Sequence, residues 1–296
     1  MPVKEVMALI ALAAIWGGSF MFMRVATPEF GIFALVEVRT VLATLVLLPV
    51  LWWRRQAADI RRFFWPIVAI GAINTAIPFA LFNFASLHLE AGVNAILNAT
   101  APMFGALVAY IWLQEKLSKV AVLGLILGFL GVAVISEQKL QGGELSALPI
   151  LAACAATACY GWAACIMKRF LHGVKPLAVA AGSQAVASVL LLPLAVATWP
   201  QASPSGYAWL NAIGLAVGGT GIAYLLYFHL IGAVGPSKAI TVAYLVPLFG
   251  LFWGLVLLNE SVSAQALVGG LCILTGVAMT TGLTRLFARR GFAPGK

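Results

Sequence analysis

Long apolar runs broken by short polar punctuation fill this chain from end to end. Reading from breaker to breaker gives spans at 6–25, 32–52, 65–86, 91–113 and 118–136, then at 147–169, 176–198, 207–230, 238–258 and 264–286. A helix rises about 1.5 Å per residue, so about 20 apolar residues cross a hydrocarbon core of ~30 Å. Each run is therefore of spanning length. The connections are short, the longest polar ones lying at 54–64 and 137–144. The pattern predicts an all-α polytopic membrane protein of ten transmembrane helices with almost nothing outside the bilayer.

The two halves of the pattern match each other. Pro102 and Gly105 recur as Pro247 and Gly250 at an offset of 145, which also takes Glu115 to Glu260, Gly124 to Gly269 and Gly131 to Gly276. Trp16-Gly17 maps onto Tyr160-Gly161, and Arg24 onto Lys168, at an offset of 144. A nearly constant offset is the trace of a duplication. We divide the chain into a first repeat at 1–140 and a second at 141–296. Five spans is an odd number, so the second copy enters the membrane from the opposite face. The expected architecture is two inverted five-helix repeats around a central cavity, a transporter plan with the substrate site between the halves.

Composition then fixes the class. Hydrophobic residues make up 62% and charged residues only 9%, against roughly 25% charged in a soluble domain, which excludes a soluble enzyme, a disordered regulator or a secreted disulfide scaffold. The net charge of +9 does not point to nucleic acid. Its basic residues sit in short runs between spans: Arg54, Arg55, Arg61 and Arg62; Lys116 and Lys119; Lys168, Arg169 and Lys175; Arg285, Arg289 and Arg290. With both termini in the cytoplasm, 15 of the 18 Lys and Arg residues fall on the cytoplasmic side, as the positive-inside rule requires. The exceptions are Arg24 and Lys139 on the other face, and Arg39 inside a span. The N-terminal run lacks a clean cleavage site and is needed as the first member of the repeat, so it is read as a retained helix. Cys154, Cys159, Cys165 and Cys272 lie within apolar stretches without ligand spacing and read as small buried hydrophobes.

Several of these residues carry a resemblance. The run Trp16 to Phe20 (WGGSF), Arg39 in span 2, and the pattern Pro102, Gly105, Glu115, Gly124, Gly131 repeated as Pro247, Gly250, Glu260, Gly269, Gly276 are similar to the EamA-type drug/metabolite transporters. The resemblance covers essentially the whole chain. It implies a ten-helix exporter of amino acids, related metabolites or amphiphilic drugs in the bacterial inner membrane, with spans 1, 3, 4, 6, 8 and 9 lining a central cavity. Two features depart from it: Glu37 beside Arg39, and an uncharged counterpart of Arg39 near Ser183 and Gln184.

Candidate site residues follow from what a bilayer penalises. Helix breakers are tolerated where protein or a cavity re-satisfies the freed backbone, so the matched pairs Pro78 with Gly221 and Pro102 with Pro247 mark the site, with Pro102, Pro247 and Gly221 as hinges. Close packing of small residues is the alternative. Asn94, Asn98 and Pro102 share one helix face, and Asn74 with Pro78 a similar short one. An amide facing lipid is costly, so these contact either substrate or neighbouring helices. Trp16 and Tyr160 lie mid-span at equivalent positions, and Tyr224 and Tyr244 add hydroxyls below the interface, an aromatic wall suited to an amphiphilic ligand or simply to core packing. Arg39 lies about 12 Å from Gly31 at 1.5 Å per residue, near the midplane. It either bonds carbonyls or a carboxylate elsewhere, or supplies a cavity charge for an anionic group. Glu37 points to a different face and lies nearer the outer end, where it can snorkel; it is also the acidic residue within a span available for proton coupling. Glu115 and Glu260 are read as fixing the turns after spans 4 and 9.

The expected function is a secondary transporter exporting amino acids or related small amphiphilic metabolites by alternating access, without cofactor or metal. A lipid flippase or a non-catalytic membrane accessory subunit is the rival. An intramembrane enzyme ranks last, because His88, His172 and His229 have no metal-ligand spacing. The partners expected are a small-molecule substrate and the bilayer, and no nucleic acid. A monomer is expected, the glycine faces of spans 5 and 10 offering an alternative dimer contact.

Overall fold

The computed structural model describes residues 1–140 and 147–282. The start of the second repeat at 141 and the basic run Arg285, Arg289 and Arg290 lie outside the described residues, as does the side chain of Lys139. The chain is all-helical. Among the described residues, eight helices are long and apolar enough to cross a membrane: Val3–Phe30, Ile32–Trp53, Phe64–Ser86, Ala91–Trp112, Lys119–Glu137, Leu148–Phe170, Pro176–Ala197 and Gly206–Val234. Two shorter apolar helices, Val242–Leu258 and Ala264–Thr280, complete the series as spans 9 and 10. At 17 residues each, they still reach the lower limit of about 17 residues for a span. Span 9 is lengthened by the turn Pro236–Ala239 before it.

The connections are as tight as the polar punctuation predicts. Gly31 alone separates spans 1 and 2. It adopts φ 76°, and its N–H donates to the Thr27 carbonyl at 2.8 Å, a left-handed conformation natural to glycine.

The duplication appears in the packing. Span 1 packs on span 9 and span 6 on span 4; spans 2 and 7 pair, and so do spans 5 and 10. A Cβ on Gly17 would lie 2.6 Å from Phe249, and one on Gly161 would lie 2.7 Å from the Phe104–Gly105 backbone, so the same crossing is built twice. Spans 5 and 10 cross with Gly124 against Gly276 and Gly131 against Gly269. These glycine faces are covered by each other and do not lie open to a second subunit, which removes the sequence argument for a dimer through them. Outward from this frame, Leu123, Ile126, Leu130, Leu190 and Leu271 remain exposed, as lipid-facing side chains should.

The matched breakers act in different ways. Spans 3 and 8 both contain a π-helical stretch at equivalent places, Gly71–Ala76 and Gly214–Ile222, and Pro78 lies two residues past the end of the first. Span 4 breaks at Ala99 and Thr100, between Ala91–Asn98 and Ala101–Trp112, just before Pro102. Span 9 instead runs unbroken through Pro247, its interruption falling at Ile240 and Thr241. Pro247 therefore sits within a continuous helix rather than at a break. Gly221 has a packing duty too, since a Cβ there would approach Val46 to 2.9 Å.

A further duplication is purely conformational. Gln114 (φ 57°) and Asn259 (φ 53°) occupy left-handed backbone at matched positions after spans 4 and 9. The next residues, Glu115 and Glu260, donate N–H bonds of 3.1 Å to the equivalent carbonyls of Ala109 and Gly254. Left-handed backbone costs an L-residue roughly 1–2 kcal/mol, and glycine escapes this at an entropic cost of roughly 0.5–1 kcal/mol. Gln114→Gly should therefore raise the thermal midpoint in detergent, and Asn259→Gly should raise it less, because Asn tolerates this region better. A lower midpoint for Gln114→Gly would contradict the assigned turn.

Candidate functional site

Arg39 is the centre of the candidate site. It lies in the first half of span 2, is 8% exposed, and turns toward span 8. Its Nε donates to the Thr220 hydroxyl at 2.9 Å, and Nη1 approaches the Met23 sulfur at 3.9 Å. The guanidinium carbon stands 3.5 Å from the centre of the Phe79 ring, a cation–π geometry. Among the described residues no carboxylate pairs with it. Of the two structural partners expected from sequence, carbonyl or carboxylate, neither bonds it among the described residues; a hydroxyl and an aromatic face take their place.

The π-helical stretch of span 8 makes this arrangement possible. The Thr220 hydroxyl donates to the Leu215 carbonyl five residues back, at 3.1 Å, and its lone pair is then available to Arg39. Pro78 and the π-turn of span 3 precede Phe79 in the same way. π-turns tend to mark functional positions, and here two of them present the contacts of one buried cation.

Aromatic residues surround it. Tyr160 of span 6 and Tyr224 of span 8 lie within electrostatic range of the guanidinium. Tyr160 stacks on Phe82 with centroids 6.0 Å apart, Tyr224 on Phe228 at 5.8 Å, and Trp16 meets Tyr227 at 5.2 Å. Spans 1, 2, 3, 6 and 8 thus contribute to one polar-centred aromatic cluster. Tyr244 stands apart from it: its hydroxyl bonds Thr281 at 2.7 Å, just beyond the end of span 10.

The amides divide. Asn94 is fully buried and donates to the Phe82 carbonyl at 3.3 Å, joining span 4 to span 3, so the interhelical alternative describes it. Asn98 is half-buried beside the break in span 4, and Asn74 is half-buried in the π-turn of span 3. Glu37 does not snorkel. It is 7% exposed, and its Oε1 accepts from the Ser188 hydroxyl of span 7 at 2.8 Å, while Oε2 has no hydrogen-bond partner among the described residues. A serine on the facing helix holds it inside, a contact invisible to the one-dimensional distance from the helix end. Gln184, at the place equivalent to Arg39, is buried with neither amide atom bonded among the described residues.

The glutamates after spans 4 and 9 reach farther than their turns. Glu260 accepts from the Ala91 N–H that opens span 4, at 2.9 and 3.1 Å, and lies 3.8 Å from Arg24 of span 1. Arg24 also donates to the Ser86 and Leu87 carbonyls at 2.8 Å each. Burial pushes the Glu260 carboxyl above its ordinary range, opposed by the Ala91 N–H and Arg24. Glu115 pairs with Lys168 of span 6. These glutamates thus do more than fix their own turns: beside the turn-closing N–H bonds, each side chain clasps other helices. The shared offsets of Arg24 with Lys168 and of Glu115 with Glu260 carried that signal. Thr220, Phe79 and Ser188 had no comparable sequence signal. Among the described residues, no group of three or more His, Cys, Asp or Glu is placed to hold a metal.

With this geometry in hand, comparisons with known proteins fall into line. Residues 3–137 and 147–282 each match the profile described as the EamA-like transporter family. A Streptantibioticus cattleyicolor protein named "Probable terminal-alkyne amino-acid exporter" is 28% identical, over 99% of this chain and 98% of its own. The "Uncharacterized transporter YvbV" of Bacillus subtilis is 24% identical over 93% and 91%. The "Uncharacterized inner membrane transporter YedA" of Escherichia coli K12 is 26% identical over 97% and 94%. One crystal structure of a protein superposes with a TM-score of 0.65 over 99% of this chain and 100% of that one, at 18% identity, a likeness of fold alone. The chain is an all-helical, multi-pass membrane transporter and not an enzyme, and it belongs to the EamA-like transporter family.

Proposed function

We propose that this transporter exports amino acids or closely related small zwitterionic metabolites across the bacterial inner membrane, by alternating access between two repeats divided near residue 140. The observation that carries this reading is Arg39, a buried cation at mid-membrane depth with no carboxylate partner among the described residues. A charge in that setting is costly, and a substrate carboxylate is the partner that offsets the cost. Trp16, Tyr160 and Tyr224 supply ring faces and hydroxyls for the rest of an amphiphilic molecule, and Asn74, Asn98 and Pro78 line the approach. The relative named as an amino-acid exporter supports the same class. The basic loops support an orientation with both termini in the cytoplasm. The protein is proposed to work as a monomer, and Glu37, held by Ser188, is the candidate for proton coupling.

The test is flux through purified protein in proteoliposomes, with a panel of amino acids and cationic drugs, with and without a pH gradient. Saturable export of zwitterions that carry a free carboxylate is expected. In the wild-type protein it should respond to the gradient, and Glu37→Gln should abolish that response while sparing exchange of substrate. Lipid scrambling without flux of any soluble compound would replace this reading with a flippase.

A further inference from the structure

The two clasps on Glu260 and Glu115 lie on opposite faces of the membrane, because five spans separate them. They close the same seam from its two ends. At one end Glu260 ties span 9 to Arg24 of span 1 and to the start of span 4. At the other, Glu115 ties span 4 to Lys168 of span 6. These are pseudo-equivalent pairs, and each is presented by a duplicated left-handed residue, Gln114 or Asn259.

The copies are not equal, and their differences run in one direction. Arg24 donates through Nη1 to two carbonyls while its Nε lies 3.8 Å from the carboxylate, whereas Lys168, a point charge, pairs with Glu115 among the described residues; the two cations are not interchangeable at such a site. Ala91 gives Glu260 its N–H, while the residue at the equivalent position is Pro236, which has no N–H to give. Gly254 leaves room for the Glu260 carboxylate, which would collide with a Cβ there; its counterpart is Ala109. Glu260 is accordingly 13% exposed, against 46% for Glu115 and 64% for Lys168. Exposed pairs contribute little, while a carboxylate at a helix N-terminus with a shared guanidinium holds well.

We propose that Arg24–Glu260 and Lys168–Glu115 are the opposing gates of the transport cycle, and that the Arg24–Glu260 gate is built to hold more tightly, so that the empty carrier rests open at the Glu115 end. In the proposed orientation this end faces the cytoplasm, which biases the carrier toward loading there and hence toward export. The inference rests on the alternating-access reading above.

The test is sided labelling with a membrane-impermeant maleimide, in a background where Cys154, Cys159, Cys165 and Cys272 are replaced by Ala or Ser. The reporter is Gly218→Cys, in the π-turn that carries Thr220, where a Cβ meets nothing within 4 Å. Intact cells and inverted vesicles report the two faces separately. Glu260→Gln should raise labelling from the Glu260 face by roughly tenfold, the population shift that ~1.4 kcal/mol produces, and lower it from the Glu115 face. Lys168→Met should act in the opposite sense and by less than the change from Glu260→Gln. The exposed exchange Glu115→Lys with Lys168→Glu should restore the wild-type ratio. If Glu260→Gln proves unfolded, Arg24→Lys gives the same direction with a smaller amplitude. Labelling that changes equally from both faces, does not change, or responds more to Lys168→Met overturns the proposal. Labelling needs no substrate, so a protein with these shifts but no flux would refute the substrate reading and leave the gates standing.

Discussion

Arg39→Gln should lower export of a carboxylate-bearing substrate by about 10- to 100-fold, the equivalent of the ~1.5–3 kcal/mol carried by a hydrogen bond to a charged group. The fold should survive the change. Thr220 keeps its bond to the Leu215 carbonyl, and Phe79 remains packed against its neighbours. Removing a buried charge that has no carboxylate beside it also relieves a desolvation cost, so the thermal midpoint in detergent should stay level or rise as activity falls. That opposite movement separates a binding role from a structural one. Arg39→Lys should be intermediate, because the charge remains while the fork that reaches Thr220 and a carboxylate together is gone. The decisive comparison uses a substrate and its carboxamide analogue. Arg39→Gln should erase the preference for the carboxylate. Equal losses for both compounds, with a lowered midpoint, would return Arg39 to a structural role.

The second large effect concerns the spans 5 and 10 crossing. Gly131→Ala and Gly276→Ala should each destabilise the protein by about 1–3 kcal/mol, the usual range for overpacking. A Cβ on Gly131 would stand 2.5 Å from the Gly269 carbonyl, and one on Gly276 would stand 2.5 Å from the Gly124 carbonyl. The obstacle in both cases is backbone, which no side-chain rotation can clear. In lipid the hydrophobic effect does not hold helices together, so contact between smooth faces must do so, and separating two backbones forfeits that contact along the whole crossing. Gly232→Ala is the control. Its Cβ would meet nothing within 4 Å, and loss of unfolded-state freedom should stabilise by ~0.4–1 kcal/mol. The same substitution should thus shift the thermal midpoint in opposite directions at Gly131 and Gly232. Equal shifts would mean that the crossing is looser than described.

Both predictions draw on features that the chain announces unequally. The number of spans, their order and their duplication are periodic facts about apolar runs and matched breakers, and a bilayer enforces them because every unsatisfied backbone group within it is costly. That is why Trp16-Gly17 and Tyr160-Gly161, or Gly124 and Gly269, could be aligned before any helix was placed. The depth of Arg39 was legible for the same reason, since depth follows from counting residues. Its surroundings were not. Whether a mid-span cation meets a carboxylate, a carbonyl or a ring depends on which helix lies across from it, and that is a property of rotation and crossing.

Glu37 and Tyr244 show the limit from two sides. Distance from a helix end suggested that Glu37 could reach the interface, yet Ser188, 151 residues away, holds it inside. Tyr244 read as a wall of the central site, yet its bond to Thr281 takes it to the end of span 10. Pro247 adds a third instance, because the helix continues through the residue and the interruption falls earlier.

Ten spans, made of one five-helix unit written twice, are legible in the chain alone, because hydropathy and repetition are one-dimensional quantities and the membrane turns them directly into topology. Which charges meet depends on how the helices cross and turn. Arg24 and Glu260 lie 236 positions apart and Lys168 and Glu115 lie 53 apart, and nothing in either interval states that these ends close on one seam. The inequality of the two clasps is written in three ordinary differences between the copies, Arg for Lys, Ala for Pro and Gly for Ala. Those differences acquire a meaning only when the fold brings them around the same pair of carboxylates.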